Sequence, residues 1–124
     1  MIVTVPGDKS ITQRALILAA LAEGKSRLRG MLPGSDPAST AGALRALGVA
    51  LTELPSDGRE MVVQGMGLGG LCPPVGPLDL GNSGTGTRLL LGVLAGQPFK
   101  AVLTGDESLR SRPMGRVTRP LSDM

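Results

Sequence analysis

Apolar and polar positions fall into two registers along this chain, one helical and one extended. From Ile11 to Ala22 nearly every residue is apolar, which predicts a helix buried on most of its circumference. Ser10 and Gln13 at its start have the spacing of a capping box, in which hydroxyl and amide each satisfy a free backbone N–H of the first turn. Gly24 supplies a left-handed stop. Short strands are predicted at Ile2 to Val5 and Ser26 to Arg29. Asp36 as N-cap and Pro37 at the first helical position predict a second helix, with Ala41, Leu44 and Leu47 as its apolar stripe and Gly48 as its end. Strands over Val49 to Glu53 and Glu60 to Gln64 follow, separated by the turn Pro55-Ser56-Asp57-Gly58. The predicted order is β-α-β-α-β-β.

The pattern then begins again. Gly7-Asp8-Lys9-Ser10, with Arg14 and Leu16-Ile17 behind it, aligns with Gly81-Asn82-Ser83-Gly84, with Arg88 and Leu90-Leu91 behind it, at an offset of 74 residues from Gly7 to Gly81. A strand at Ala101 to Leu103 and a polar loop lead to Arg112-Pro113, which echoes Asp36-Pro37 as a proline at a helix start. The low-complexity stretch Gly65 to Gly76 reads as a linker. The expectation is an α/β (α+β) fold with one βαβαββ unit at about 1–66, the linker at about 65–76 and roughly half of a second unit at about 77–124.

Composition narrows what such a fold can do. With 124 residues, 41% hydrophobic and 19% charged, the chain is globular in character. It has one Phe and neither Trp nor Tyr, so its core is aliphatic and it lacks the aromatic platforms on which single-stranded bases stack. The net charge of +3 favours acidic partners, but the basic residues are scattered, so phosphorylated metabolites are a better match than nucleic acid. One cysteine and no histidine exclude an intrachain disulfide, a Cys/His zinc site and any triad with an imidazole base. Cys72 reads as a reduced, inert thiol; no metal and no cofactor are expected. Met1-Ile2-Val3 opens with neither a basic n-region nor a long apolar stretch, so no signal peptide, membrane span or membrane partner is expected, and the cytoplasm is the expected compartment.

Two nucleotide-like motifs fail. Gly65-Met66-Gly67-Leu68-Gly69-Gly70 has dinucleotide-site spacing, but Pro73-Pro74 follows where a helix is required. Gly24-Lys25-Ser26 resembles the end of a P-loop, yet Ala19 stands where the first glycine belongs. Pro6-Gly7-Asp8-Lys9-Ser10 is different, because a helix N-terminus offers free N–H groups and partial positive charge, and Lys9, Ser10 and Arg14 add two cations and a hydroxyl. For one such start, a capping serine and a solvated arginine explain as much. The second copy changes the balance. Gly81-Asn82-Ser83-Gly84-Thr85-Gly86-Thr87-Arg88 spends three glycines immediately before a helix, a local cost better suited to close backbone approach by a ligand. Arg112 adds a cation at a third expected helix start.

These residues, Pro6 to Ile11 with Arg14, Leu80 to Thr85 with Arg88, Leu103-Thr104-Gly105-Asp106 and Arg112-Pro113-Met114, together resemble the EPSP synthase family over essentially the whole chain. The resemblance implies two domains, each of three βαβαββ units, that close around substrate, and transfer of the enolpyruvyl group of phosphoenolpyruvate to the 5-hydroxyl of shikimate 3-phosphate. By that resemblance Lys9, Ser10 and Arg14 hold shikimate 3-phosphate. Lys9, Gly84 and Arg112 meet phosphoenolpyruvate, with Lys9 also catalytic, and Asn82, Thr85 and Arg88 support the pocket. The pocket is also the one implied to take glyphosate. The family's acid/base carboxylates and the rest of the enzyme lie outside this sequence, so the chain alone is expected to be inactive and its natural partner is the remainder of the enzyme. The related UDP-N-acetylglucosamine enolpyruvyl transferases have asparagine after the lysine, where this chain has Ser10. A non-catalytic anion-binding module is the alternative of another class.

Overall fold

The computed structural model describes residues 1–3 and 5–124. The first helix, α1 (Lys9–Leu21), begins two residues earlier than the capping-box reading places it. Asp8 is the N-cap, its Oδ1 accepting from the Ile11 amide at 2.7 Å. The predicted capping box does not form. The Ser10 hydroxyl instead accepts from the Arg14 guanidinium, and Gln13 is fully buried with its Nε2 donating to Ser83 Oγ at 2.7 Å. The helix is also less buried than its composition predicts, because its neighbours cover one side only. Leu16, Ile17, Ala19 and Ala20 face the core, while Ile11 and Leu18 are each 67% exposed.

Gly24 does not end α1. The helix finishes at Leu21 with Ala22 already extended, and Gly24, at φ +79°, lies inside β1 (Glu23–Leu28). α2 (Ser35–Ala46) starts after Gly34, so Asp36 and Pro37 lie within its first turn rather than at its boundary. Gly48, at φ +92°, does terminate it. β2 (Ala50–Leu51) and β3 (Met61–Met66) complete an antiparallel sheet of order β1-β3-β2, with Glu23 opposite Met66 and Leu28 opposite Met61. Gly65, assigned to the linker by its composition, is the penultimate residue of β3. A Cβ there would collide with the Ala22 carbonyl, so glycine is what lets β3 pass under the end of α1. The expected first strand at 2–5 includes Thr4, which lies outside the described residues; Ile2, Val3 and Val5 are exposed and belong to no strand.

A second, parallel sheet pairs β4 (Leu78–Asp79) with β5 (Leu103–Thr104), and α3 (Gly84–Ala95) makes the crossover between them. β4 has no counterpart among the predicted elements, and β5 sits slightly later than Ala101 to Leu103. After β5 come α4 (Glu107–Ser111), capped by Asp106, and α5 (Gly115–Asp123). Arg112-Pro113 therefore does not open a helix: Arg112 is the C-cap of α4, and α5 starts at Gly115.

One aliphatic core joins both sheets. Leu16 of α1, Leu44 and Leu47 at α2, Met61 and Val63 of β3, Leu78 and Leu80 at β4 and Leu90 of α3 are all at most 1% exposed. At ~25 cal/mol per Å2 of apolar surface removed from water, this is the largest favourable contribution to folding. The chain is an α/β protein in which α1, α2 and α3 lean on one another and bring the starts of α1 and α3 together through the Gln13–Ser83 bond.

Candidate functional site: two helix starts joined by Gln13

At the start of α1, Lys9 is exposed and its Nζ lies 3.0 Å from Asp36 Oδ2. The Arg14 guanidinium folds back over the first turn, donating to the Ser10 hydroxyl and, at 3.2 Å, to the Ser10 carbonyl. All three predicted residues thus lie together at the start of α1, Lys9 and Arg14 exposed and Ser10 half-buried. Their cations are engaged by short-range partners. Such pairs in water contribute about 0–1 kcal/mol each, so parting them costs little.

The start of α3 is built differently. Ser83 is fully buried and caps the helix, its Oγ accepting from the Gly86 amide at 3.0 Å and from Gln13 at 2.7 Å. Gly84 and Gly86 are buried in the first turn. A Cβ on Gly84 would stand 2.9 Å from Nη1 of both Arg88 and Arg112, so two guanidinium groups converge on the face that glycine leaves open. Arg88 is fixed there by donating to the Gly84 carbonyl at 3.3 Å and to the Pro113 carbonyl at 3.2 Å. Arg112 Nη2 donates to Asn82 Oδ1 at 2.6 Å. Thr85 is half-buried on the same turn. A cleft of about 220 Å3, lined in part by Thr87, Thr104, Gly105 and Arg112, opens beside it.

Arg112 therefore reaches the site predicted for it from the C-terminal end of α4, not from a helix start. Two residues not placed at the site from the sequence emerge with it. Asp106 accepts from Asn82 Nδ2 at 2.9 and 3.1 Å and from the Leu109 amide at 2.7 Å. The bond from the Leu109 amide, then that from Asn82, holds the Asp106 carboxyl below its ordinary value, and the nearby Arg112 charge acts in the same direction. Gln13, read as half of a capping box, is the interior bridge between the two starts. Its burial was implied by the apolar run around it, but its partner, in a segment 70 residues away, had no local signal.

The family model for EPSP synthase (3-phosphoshikimate 1-carboxyvinyltransferase) matches residues 1–124. The chain belongs to the EPSP synthase family. Among curated members, the 3-phosphoshikimate 1-carboxyvinyltransferase of Gloeobacter violaceus is 59% identical over 98% of this chain and 28% of its own length. That of Geobacillus kaustophilus is 56% identical, with the same two coverages. The solved EPSP synthase of Acinetobacter baumannii superposes with a TM-score of 0.93 at 44% identity, over 98% of this chain and 27% of that one. The chain thus spans a little over a quarter of the length of these EPSP synthases. Among the described residues no helix is long and apolar enough to cross a membrane, and no group of three or more His, Cys, Asp or Glu is placed to hold a metal ion.

Proposed function

We propose that this chain forms one wall of a 3-phosphoshikimate 1-carboxyvinyltransferase active site, with two anion subsites at the starts of α1 and α3. Phosphoenolpyruvate lies over Gly84, against Arg112 and within reach of Lys9; shikimate 3-phosphate lies against Lys9, Ser10 and Arg14. The observation that carries this reading is the convergence of Arg88 and Arg112 on Gly84, each with Nη1 2.9 Å from the absent Cβ. Two guanidinium groups held by neutral partners at a helix N-terminus have donors and positive charge to spare for a carboxylate and a phosphate.

The transfer requires protonation of the enolpyruvyl methylene to a methyl group, attack by the 5-hydroxyl, which gives up its proton, on the carbon bearing phosphate, and elimination of that phosphate with removal of a proton from the new methyl group, which restores the methylene. In this reading the residues of this chain bind and orient. Arg112 and Lys9 stabilise negative charge on phosphoenolpyruvate and on the departing phosphate, and fixed dipoles do so without reorganising during the reaction. Lys9, with three donors on a flexible stem, is the group able to touch both substrates, which gives it the catalytic role. The carboxylates that move the protons belong to the remainder of the enzyme, the natural partner of this wall. We also read the chain as a first unit at about 1–66, a linker at about 65–76 and a partial second unit at about 77–124. Support comes from the sheets, since among the described residues β1, β2 and β3 form one sheet and β4 pairs with β5 in another. A cytoplasmic location belongs to the same reading, and the exposed free thiol of Cys72 suits a reducing compartment.

The test is a full-length chimera in which this chain replaces the matching segment of the Gloeobacter violaceus relative. It should release phosphate from phosphoenolpyruvate only when shikimate 3-phosphate is present, and Arg112→Ala should abolish most of that release. The chain by itself should release none above background. A folded chimera that binds neither substrate would overturn the reading.

A further inference from the structure

We propose that Asp106 is a positioning residue for phosphoenolpyruvate, because it fixes the amide of Asn82 in the one orientation that turns a carbonyl oxygen toward Arg112. This rests on the reading of the α3 start as the phosphoenolpyruvate subsite. The carboxylate of Asp106 meets Asn82 Nδ2 through both oxygens, at 3.1 and 2.9 Å. An ionised carboxylate can only accept hydrogen bonds, so the NH2 end of the Asn82 amide has to face it. The other end then faces away, and Oδ1 receives Arg112 Nη2 at 2.6 Å. Were the amide reversed, its NH2 would meet a guanidinium that can only donate, and Arg112 would lose its anchor. The relay from Asp106 through Asn82 to Arg112 ends on the guanidinium that stands over Gly84.

Asp106 anchors Arg112 a second way. Its Oδ1 also accepts from the Leu109 amide at 2.7 Å, which caps α4, and Arg112 is the C-cap of that same five-residue helix. One side chain thus sets both the backbone that carries Arg112 and the acceptor that orients its head group.

A single substitution separates the two roles. Asparagine caps helices as well as aspartate does, so Asp106→Asn keeps the bond from Leu109, but its amide both donates and accepts and no longer dictates which way Asn82 lies. In the full-length chimera, Asp106→Asn should keep a melting temperature near that of the parent. Its KM for phosphoenolpyruvate should rise about tenfold, the scale of a lost hydrogen bond to a charged group. The KM for shikimate 3-phosphate should stay unchanged and kcat should fall less. Asp106→Ala should show the same KM change together with a lowered melting temperature. An unchanged KM for phosphoenolpyruvate in Asp106→Asn, or an equal rise for both substrates with a fall in melting temperature, would reduce Asp106 to a helix cap. A crystal structure of the Asp106→Asn variant tests the relay without any need for turnover. The Asn82–Arg112 contact should be broken there, and its persistence at 2.6 Å would overturn the proposal even if the parent chimera proved inactive and the functional reading had failed.

Discussion

The starts of α1 and α3 use the same parts and hold them in opposite ways. At α1 the cap is an exposed aspartate, the cations are exposed, and Lys9 is occupied by Asp36 while Arg14 folds onto Ser10. At α3 the cap is a fully buried serine, the turn is glycine, and both arginines are tied to carbonyl or amide oxygens, leaving their charge uncompensated by a direct ion pair. On the proposed reading the first start exchanges partners before it takes an anion, whereas the second is already assembled. A site of the second kind spends less binding energy on ordering its own side chains. The two therefore differ in preorganisation more than in residue content.

The largest effect should come from breaking the bond that joins them. Gln13→Ala removes a fully buried side chain and the donor to Ser83 Oγ. The resulting cavity and lost hydrogen bond should cost about 2–4 kcal/mol, measurable as a fall in the urea midpoint at constant slope. If stability fell by less than about 1 kcal/mol, the two starts would be independent structures rather than one site.

Gly84→Ala should cost little stability, because the new methyl meets the far ends of two side chains, Nη1 of Arg88 and of Arg112, rather than backbone. It should instead displace both guanidinium groups and weaken phosphoenolpyruvate in the full-length chimera, and glyphosate, the longer molecule, by more. Equal losses for the two ligands, or none, would show that Gly84 serves the helix turn alone.

At the α1 start, Asp36→Asn should change stability by no more than about 1 kcal/mol, since Lys9 is 56% exposed in that pair. Freed of its partner, Lys9 should bind inorganic phosphate more tightly, seen as a lower Kd by calorimetry. Weaker binding would mean that Asp36 helps to hold the anion rather than competing with it.

The smallest effect is on pH dependence. The carboxyl of Asp106 is held below its usual value of 3.8. A depressed carboxyl contributes stability that is present above its unfolded pKa and is lost as pH falls through the folded one. The α4 cap and the Asn82 relay should therefore persist through about pH 4 and fail only in stronger acid, followed by the Arg112 Hε resonance against pH. Loss of that signature already near about pH 5 would contradict the assignment.

How far the sequence revealed these sites follows from the range of the interactions involved. The grouping of Lys9, Ser10 and Arg14 at one helix start, and of Asn82, Gly84, Thr85 and Arg88 at another, was legible because each set lies within one or two helical turns and repeats. What escaped depended on distant partners. Asp8 and Ser10 both stand at the start of the apolar run with cap-like spacing, and the cap falls to Asp8 because Gln13 is drawn inward by Ser83 and Ser10 is taken by Arg14. β4 is two residues long and exists through its pairing with β5, across the whole of α3. Arg112 was expected at a helix start because of Pro113. Asp106 captures that start one short helix earlier, yet the expected meeting of Arg112 with Gly84 still occurs. The exposure of Ile11 and Leu18 likewise reflects which neighbours pack on α1, which no local pattern encodes.

The central claim, two anion subsites of unequal preorganisation, is tested most directly by NMR titration of the chain labelled with 15N, with three ligands in turn. Phosphoenolpyruvate should move the amides of Gly84 and Gly86 and the Arg112 side chain at the lower concentration. Shikimate 3-phosphate should move Ser10 and Arg14 at a higher one, and shikimate without its phosphate should move neither set. Shifts of equal size from unphosphorylated shikimate, or a tighter response at α1 than at α3, would contradict the account.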